Sequence, residues 1–362
     1  MKKLKWAVIG GGNGGQSSAG HIALLGHEVR LYDISEKTVE ILNEKGGINL
    51  TGEVEGFGKL KLATTDIKEA VDGVDIIMIV APALAHRAIA KSILPYVEDG
   101  QIIFVHPGAT GGALEFMSIL KKERPEVSVI IAEAMSLIYA CRVSEVGEAQ
   151  IFGIKEKLMV AALPANKTQE VLDKINLVYP TMYAGKNVLQ TSLENLNSIM
   201  HPGPTLLNTS MIESGREWKY YWDGITPSIG KFAVGIDKER VEIGKKLGIE
   251  LLDVKTWYNV LYNSKGETLS EIVKDTNAYS GISGQKEIRT RYILEDIPMG
   301  LIPMVELAKV LGIKTKRMET VISLGEILLD TDLYENARTI DRLGLEGMNR
   351  EQILDYVQKG VK

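Results

Sequence analysis

A histidine lies among polar residues at helical spacing, directly before a helix-breaking proline. The segment SLENLNSIMHPGP places Glu194, Asn197 and His201 on one face of a continuous helix. An apolar stripe occupies another face, formed by Leu193, Leu196 and Met200. An imidazole titrates near neutral pH and can therefore both take up and release a proton. The pattern is typical of an acid/base group facing a cleft, but a surface or capping histidine fits it equally well.

A second polar cluster lies in IRTRYILEDIPMGLIP, where Arg291 and Asp296 precede Pro298. An arginine can hold a carboxylate through two parallel hydrogen bonds, and an aspartate can orient an imidazole. In a straight helix these two side chains would point about 140° apart, so they converge only if the helix ends or bends before the proline. Spacing alone favours an ion pair between Arg291 and Glu295 on a solvated face.

The stretch VIGGGNGGQ carries the pattern Gly10-x-Gly12-x-x-Gly15 between a predicted strand and a predicted helix. This is the dinucleotide-binding fingerprint in its required context. Gly10 allows the tight turn, Gly12 lets the backbone approach a pyrophosphate, and Gly15 allows close packing of helix and strand. Asn13 and Gly14 complete the loop at the helix N-terminus, whose free N–H groups favour phosphate.

An acidic residue follows the fingerprint at the expected distance. Asp33 ends the second predicted strand, eighteen residues after Gly15, where a carboxylate accepts hydrogen bonds from ribose hydroxyls. The same carboxylate repels a 2′-phosphate, so NAD is predicted as the cofactor and NADP is disfavoured. Ala81-Pro82 and His106 follow two later strands and are predicted to line the nicotinamide end, although a structural loop histidine is an equally good interpretation of His106.

The elements that must position these residues change character along the chain. Short apolar runs near residues 6–10, 27–33, 59–66, 75–82, 101–108, 127–134 and 158–164 alternate with helical patterns. Such alternation predicts an α/β domain with a doubly wound parallel sheet, the Rossmann fold, over residues 1–185. From residue 186 to 362 the apolar periodicity is three to four, which predicts an all-helical substrate and catalytic domain.

Composition narrows the class of protein. The chain is 45% hydrophobic and 25% charged with a net charge of -5, and it contains no block of like charges, so neither nucleic acid nor an acidic membrane is an expected partner. No signal peptide or membrane-length apolar run occurs, which predicts a cytoplasmic protein. The single cysteine, Cys141, excludes an intrachain disulfide framework and a cysteine metal cluster, and no metal is expected.

Four segments resemble the opine dehydrogenases, a family that includes the octopine and nopaline dehydrogenases. They are GGGNGG, SLIYACR (136–142), ENLNSIMHPGPTLLN (194–208) and RYILEDIPMGLIP (291–303). The resemblance implies that His201 is the catalytic histidine, Asp296 its carboxylate partner, and Arg291 the contact for a 2-oxo acid. It also implies that Asn197 is a polar residue of the substrate site, and that the site lies in the cleft between a Rossmann domain and a helical domain.

The expected reaction is NAD-dependent reductive condensation of a 2-oxo acid with the amino group of an amino acid, and its reverse. Two alternatives stay open. One is a ketopantoate reductase-like enzyme that reduces a simple 2-oxo acid with a catalytic lysine, and the other is a sensor that binds NAD without turnover. The expected partners are small-molecule substrates, with a homodimer as one option for the assembly.

Overall fold

The computed structural model describes residues 3–360. These residues divide into two compact units, one formed by residues 3–192 and 355–360 and the other by residues 193–354. The predicted division at 185/186 lies a few residues earlier, and the end of the chain groups with the first unit although the prediction assigned it to the helical domain. No helix among residues 3–360 has both the length and the apolarity needed to cross a bilayer.

The first unit is built on an eight-stranded sheet with the strand order β12-β11-β8-β7-β6-β1-β2-β5. Its strands are β1 (Lys5–Ile9), β2 (Glu28–Tyr32), β5 (Leu62–Thr64), β6 (Ile76–Ile79), β7 (Ile102–Val105), β8 (Ile130–Ala134), β11 (Leu158–Leu163) and β12 (Met182–Ala184). Six contiguous strands, from β5 at one edge to β8, pair in parallel, as the Rossmann prediction requires. The sheet is not wholly parallel, because β11 pairs antiparallel with β8.

A second, four-stranded sheet was not predicted. It has the order β4-β3-β10-β9, formed by β3 (Gly47–Gly52), β4 (Gly56–Lys59), β9 (Tyr139–Glu145) and β10 (Glu148–Ile154). It packs on the first helix, where a Cβ at Gly20 would lie 3.0–3.2 Å from side-chain atoms of Leu50 and Ile48. The strand predicted over 59–66 is confirmed but shorter, since β4 ends at Lys59 and β5 occupies only Leu62–Thr64. Short glycine-rich strands give a weak sequence signal because glycine disfavours the strand interior.

The helices alternate with the strands in the first unit and make up the second. Those that begin in the first unit are α1 (Asn13–Leu24), α2 (Glu36–Lys45), α3 (Ile67–Val71), α4 (His86–Ile93), α5 (Gly112–Glu123), α6 (Thr168–Ile175) and α7 (Val188–Leu193). The remaining helices are α8 (Asn197–Met200), α9 (Pro202–Leu207), α10 (Thr209–Glu213), α11 (Tyr220–Gly224), α12 (Pro227–Lys246), α13 (Val254–Tyr262), α14 (Leu269–Asp275), α15 (Arg291–Leu294), α16 (Ile302–Val310), α17 (Lys316–Leu329) and α18 (Arg350–Lys359).

Side-chain caps fix several starts of helices in the second unit. The hydroxyl of Thr226 accepts from the N–H of Ile229 just before Pro227 opens α12. The carboxylate of Asp253 caps α13, and Thr268 forms a reciprocal capping box with Glu271 at the start of α14. The local sequence therefore determines where these helices begin, and the predicted helical character of this unit is confirmed.

Candidate functional site

The glycine loop of the first unit has the geometry expected of a pyrophosphate site. A Cβ placed on Gly15 would lie 1.7 Å from the carbonyl oxygen of Gly10, so α1 can pack against the end of β1 only if residue 15 is glycine. Gly10 itself has a φ of 113°, a conformation that L side chains rarely adopt. Gly12, in contrast, has nothing within 4 Å of an added Cβ. The backbone at Gly12 is therefore open to an approaching ligand.

Two neighbouring loop residues hold the loop in place. Asn13 begins α1, and its side-chain oxygen accepts from the N–H of Val143, 2.8 Å away. A Cβ on Gly14 would lie 2.9 Å from Val80 and 3.2 Å from Leu137. The first hydrogen bond within α1 runs from the N–H of Gln16 to the carbonyl of Gly12, so the amides before Gln16 have no acceptor within the helix. These amides provide the positive end of α1 that favours phosphate.

Asp33 lies directly after β2, and both of its carboxylate oxygens are held by backbone donors. Oδ2 accepts from the N–H of Gly11 at 2.6 Å, and Oδ1 accepts from the N–H of Ser35 at 2.8 Å. These bonds tie the glycine loop to the start of α2 and fix the carboxylate at the rim of a cleft. A carboxylate fixed in this way can accept hydrogen bonds from ribose hydroxyls and repels an added phosphate.

The cleft beside Asp33 has a volume of about 430 Å³ and is predominantly apolar. The predicted residues Ala81 and Pro82 line it together with the glycine loop, whereas the wall formed by Ile34, Ala85 and Ile89 was not predicted. Its volume lies in the range of small-molecule sites, and an apolar wall next to a carboxylate that can accept hydrogen bonds from ribose hydroxyls suits an adenine ring. The residues of this cleft therefore fit NAD.

His106 is placed differently from the prediction. Its side chain is fully buried, its Nε2 accepts from the N–H of Ile138 at 2.9 Å, and its ring packs edge-on against Phe104. Burial lowers the pKa of His106 to about 3, so the ring is neutral at physiological pH. This placement favours the interpretation of His106 as a structural histidine over the predicted contact with the cofactor.

In the second unit, His201 lies at the junction of α8 and α9 with both ring nitrogens engaged. Nδ1 lies 2.7 Å from Oδ2 of Asp296, and Nε2 lies 3.2 Å from the hydroxyl of Tyr221. The ring is 5% exposed and stacks on Tyr292 with centroids 3.8 Å apart and planes 4° apart. A carboxylate on Nδ1 keeps the proton of the neutral ring on that nitrogen, which leaves the Nε2 lone pair to accept a proton.

Asp296 reaches His201 because the helix changes its geometry after α15. The N–H of Asp296 bonds to the carbonyl of Arg291 five residues earlier, and a π-helical turn follows over Ile297–Leu301. A Cβ on Gly300 would lie 1.7 Å from Oγ of Ser198, so this turn approaches α8 closely. The helix thus ends and bends before Pro298, which is the condition that the sequence set for the side chains of Arg291 and Asp296 to converge.

Two tyrosines that contact His201 were not singled out from the sequence. Tyr221 belongs to the aromatic segment 218–222, whose residues in a single sequence equally suit core packing, and Tyr292 directly follows Arg291. Burial, with neighbouring phenols, raises the pKa of Tyr221 well above its usual value, so its hydroxyl stays protonated and can donate to Nε2 of His201. The Tyr221 ring also stacks on Tyr279 at 4.3 Å. The proximity of Tyr221 and His201 depends on tertiary packing.

Arg291 and Asn197 are the predicted substrate contacts of this unit. Arg291 is exposed, its guanidinium carbon lies 6.0 Å from the centroid of the Tyr292 ring, and it forms no ion pair with any carboxylate of residues 3–360, Glu295 included. Asn197 begins α8 and its backbone carbonyl accepts from the N–H of His201. Its half-buried carboxamide bonds to no described side chain or backbone group. Both groups therefore retain hydrogen-bonding capacity for a ligand.

Glu194 does not share the face of Asn197 and His201, which corrects the expected polar stripe. Helix α7 ends at Leu193 and α8 begins only at Asn197, so the continuous helix assumed from the spacing is broken. The Glu194 carboxylate accepts from the N–H of Leu252 and lies 3.9 Å from the buried Arg240. Glu194 is therefore part of the structural core of the second unit.

Both parts of the chain match known protein families. Residues 184–329 match the model described as NAD/NADP octopine/nopaline dehydrogenase, alpha-helical domain. Residues 5–132 match the NAD-dependent glycerol-3-phosphate dehydrogenase N-terminus.

Relatives cover nearly the whole chain. It is 40% identical over 360 residues to an opine dehydrogenase of Arthrobacter sp. strain 1C, which covers 99% of this chain and 100% of that protein. It is 27% identical to an opine dehydrogenase of Haliotis discus hannai, with 89% of each chain covered. Octopine dehydrogenase solved with NADH and L-arginine has a TM-score of 0.83 at 20% identity over 99% of both chains. The same enzyme solved with NADH and pyruvate has a TM-score of 0.81.

Proposed function

This chain belongs to the opine dehydrogenase family and is an NAD(P)-dependent oxidoreductase, and from that premise we propose that it joins a 2-oxo acid to the amino group of an amino acid. The product is a secondary amine carrying two carboxylates, and the reverse reaction oxidises such an amine. The observation that carries the proposal is the buried hydrogen bond of 2.7 Å between His201 and Asp296, with Tyr221 on the other ring nitrogen. Such a group can move protons in both directions of a condensation.

His201 acts as the proton carrier of the condensation. Its Nε2 takes a proton from the ammonium group of the amino acid, so that a neutral amine attacks the carbonyl carbon of the oxo acid. The same nitrogen donates this proton to the carbonyl oxygen as the carbon–nitrogen bond forms. It then takes a second proton from the nitrogen of the adduct and donates it to the hydroxyl group, which leaves as water and forms a protonated imine. NADH, when bound, supplies the hydride that reduces this imine.

Asp296, Tyr221 and Arg291 assist in separate ways. The Asp296 carboxylate holds the imidazole orientation and stabilises its charged form. The Tyr221 hydroxyl keeps Nε2 hydrogen-bonded between proton transfers, because a neutral phenol can donate to the neutral ring or accept from the charged ring. Arg291 binds the carboxylate of the oxo acid through its planar fork of donors, and Asn197 contributes a polar contact one turn before His201.

In the first unit, the glycine loop and Asp33 would hold the cofactor. The amides at Gly12 and at the start of α1 would hold its pyrophosphate. Asp33 would accept from the adenosine ribose, which supports a preference for NAD over NADP. Ala81 and Pro82 line the same cleft as Asp33 and would therefore border the adenosine half, whereas the sequence predicted them at the nicotinamide end. A cytoplasmic location and a homodimeric assembly remain predictions.

The proposal is tested by NADH consumption with purified protein. We expect absorbance at 340 nm to fall only when a 2-oxo acid such as pyruvate and an amino acid are both present, with the secondary amine detected by mass spectrometry. Consumption with the oxo acid alone would favour the simple 2-oxo acid reductase. Tight NADH binding without turnover across a broad panel of oxo acids and amines would favour the sensor.

A further inference from the structure

The proposed product carries two carboxylates, and only one of them has been given a cationic partner. Arg291 serves the oxo acid, so the α-carboxylate of the amino acid needs another donor. A carboxylate taken out of water requires a charged or multiply hydrogen-bonded partner. The first unit contains one candidate that the proposed mechanism does not use.

Lys155 is a half-buried lysine directly after β10, and its ammonium group bonds only to neutral groups among residues 3–360. Its Nζ donates to Oγ of Ser136 at 2.7 Å and to the carbonyl of Leu137 at 2.8 Å, both neutral acceptors. No carboxylate of residues 3–360 forms an ion pair with it. An ammonium group has three N–H donors, so one is left for a ligand. Burial lowers the pKa of Lys155 to about 8, which still leaves the group mostly protonated at pH 7.

The segment that holds Lys155 is anchored at the carboxyl ends of the central strands. Leu137 packs beside Gly14 of the glycine loop, and the N–H of Ile138 is bound by His106, the residue that follows β7. The segment itself follows β8, and the backbone N–H of Lys155 bonds to the carbonyl of Ile138. Lys155 is therefore fixed at the edge formed by the ends of β7 and β8.

This edge is the nicotinamide half of a Rossmann sheet. Dinucleotides bind in the crevice beyond the carboxyl ends of the strands, across the point where the strand order reverses. Here that point lies between β1 and β6, and Asp33 after β2 identifies the adenosine half. The other half extends over β6, β7 and β8, where the reacting carbon must meet the nicotinamide.

We propose that Lys155 binds the α-carboxylate of the amino-acid substrate and thereby selects amino acids over amines that lack this group. The inference rests on the proposed function, because it concerns the second substrate of that reaction. It assigns to Lys155 a specificity-determining contact and no proton transfer.

The test compares amino acids with the amines obtained by removing their α-carboxylate. With pyruvate and NADH fixed, kcat/KM is measured for L-arginine and agmatine, L-leucine and isopentylamine, and L-phenylalanine and phenethylamine. The wild type should prefer the amino acid of each accepted pair by roughly 10- to 100-fold, the range of one charge-assisted hydrogen bond. Lys155→Gln keeps a donor for Ser136 and Leu137 without the charge, and it should bring this ratio close to one. Lys155→Arg should restore most of it.

Controls separate substrate recognition from damage to the fold. Lys157→Met removes an exposed lysine two residues away and should leave the ratio unchanged. The NADH dissociation constant and the melting temperature of each variant report whether the glycine-loop side remains intact. If Lys155→Gln is unfolded, Lys155→Met provides the second test, because it also removes the charge and should bring the ratio close to one. Lys155→Arg keeps the charge, so a ratio close to one in this variant at unchanged NADH affinity would contradict a charge-dependent contact.

Two outcomes overturn the inference. If the wild type turns over amino acids and amines equally, or if the preference survives in Lys155→Gln or Lys155→Met, Lys155 does not bind the carboxylate although the proposed function stands. If no combination of oxo acid and amine makes the wild type consume NADH, the proposed function fails and the inference falls with it.

Discussion

Replacement of His201 and Asp296, singly and together, should show that the two residues act as one unit. His201→Asn is the preferred change because the asparagine side chain approximates the Nδ1 half of the ring and can keep a hydrogen bond to Asp296, while Nε2 is removed. His201 is 5% exposed and stacks on Tyr292, so alanine would also create a cavity. Asp296→Asn removes the charge and keeps the shape.

The expected losses follow from the contacts. Loss of a general acid/base lowers turnover by about 10²- to 10⁴-fold, or roughly 3–5 kcal/mol of transition-state stabilisation. A hydrogen bond to a charged group contributes about 1.5–3 kcal/mol, so Asp296→Asn should cost about 10- to 100-fold. The double variant should lose little beyond His201→Asn alone, since Asp296 acts through the imidazole that His201→Asn has already removed.

The assay is the NADH-dependent condensation of pyruvate with the best amino acid, together with NADH binding and thermal unfolding of each variant. Cofactor affinity should stay near the wild-type value in all three. If the two single losses multiply in the double variant, Asp296 has a role that does not pass through His201. Near-normal turnover of His201→Asn would refute the acid/base mechanism itself.

Four further results are expected. Asp33→Ser should narrow the preference for NADH over NADPH, because it weakens both the repulsion of the 2′-phosphate and the contact with the ribose. A wild-type protein that prefers NADPH would contradict the role given to Asp33. Arg291→Lys keeps the charge but loses the planar fork, so the KM for the oxo acid should rise sharply at unchanged NADH affinity; an equal loss of NADH binding would remove Arg291 from the substrate site. Tyr221→Phe should lower kcat by about tenfold with little change in KM. The control is Tyr279→Phe, which removes a hydroxyl that bonds to Tyr262 and should leave kcat near normal. Equal effects of the two changes would argue against a role for the Tyr221 hydroxyl. His106 has a pKa of about 3 in the folded state, below its unfolded value, so the unfolded state binds more protons and the free energy of unfolding should fall as the pH drops from about 6.5 towards 3. Urea denaturation at several pH values measures the slope of this free energy against pH. His106→Gln should reduce that slope by up to about 1.4 kcal/mol per pH unit.

Local sequence was sufficient to predict the dinucleotide-binding fold. The glycine fingerprint and Asp33 lie within one strand-helix-strand unit, so their roles depend on short-range geometry that the residue types dictate. The second sheet could not be predicted in this way. Its strands come from two distant parts of the chain, 47–59 and 139–154, and they pair only because both pack on α1. Long-range pairing of this kind leaves no periodic signal within either segment.

For the proposed catalytic cluster, the sequence determined the residue types and the tertiary structure determined the contacts. His201, Arg291 and Asp296 were identified through motifs that resemble a family, since their spacing alone favoured other interpretations. The bend that brings Asp296 to His201, the hydrogen bond from Tyr221 and the stacking of Tyr292 join positions 20 to 95 residues apart. Such contacts depend on close approaches such as that of Gly300 to Ser198. Lys155 illustrates the same limit, because nothing in IFGIKEK distinguishes it from an ordinary surface lysine. Only the tertiary structure shows that its ammonium group bonds to Ser136 and Leu137 and has no carboxylate partner among residues 3–360.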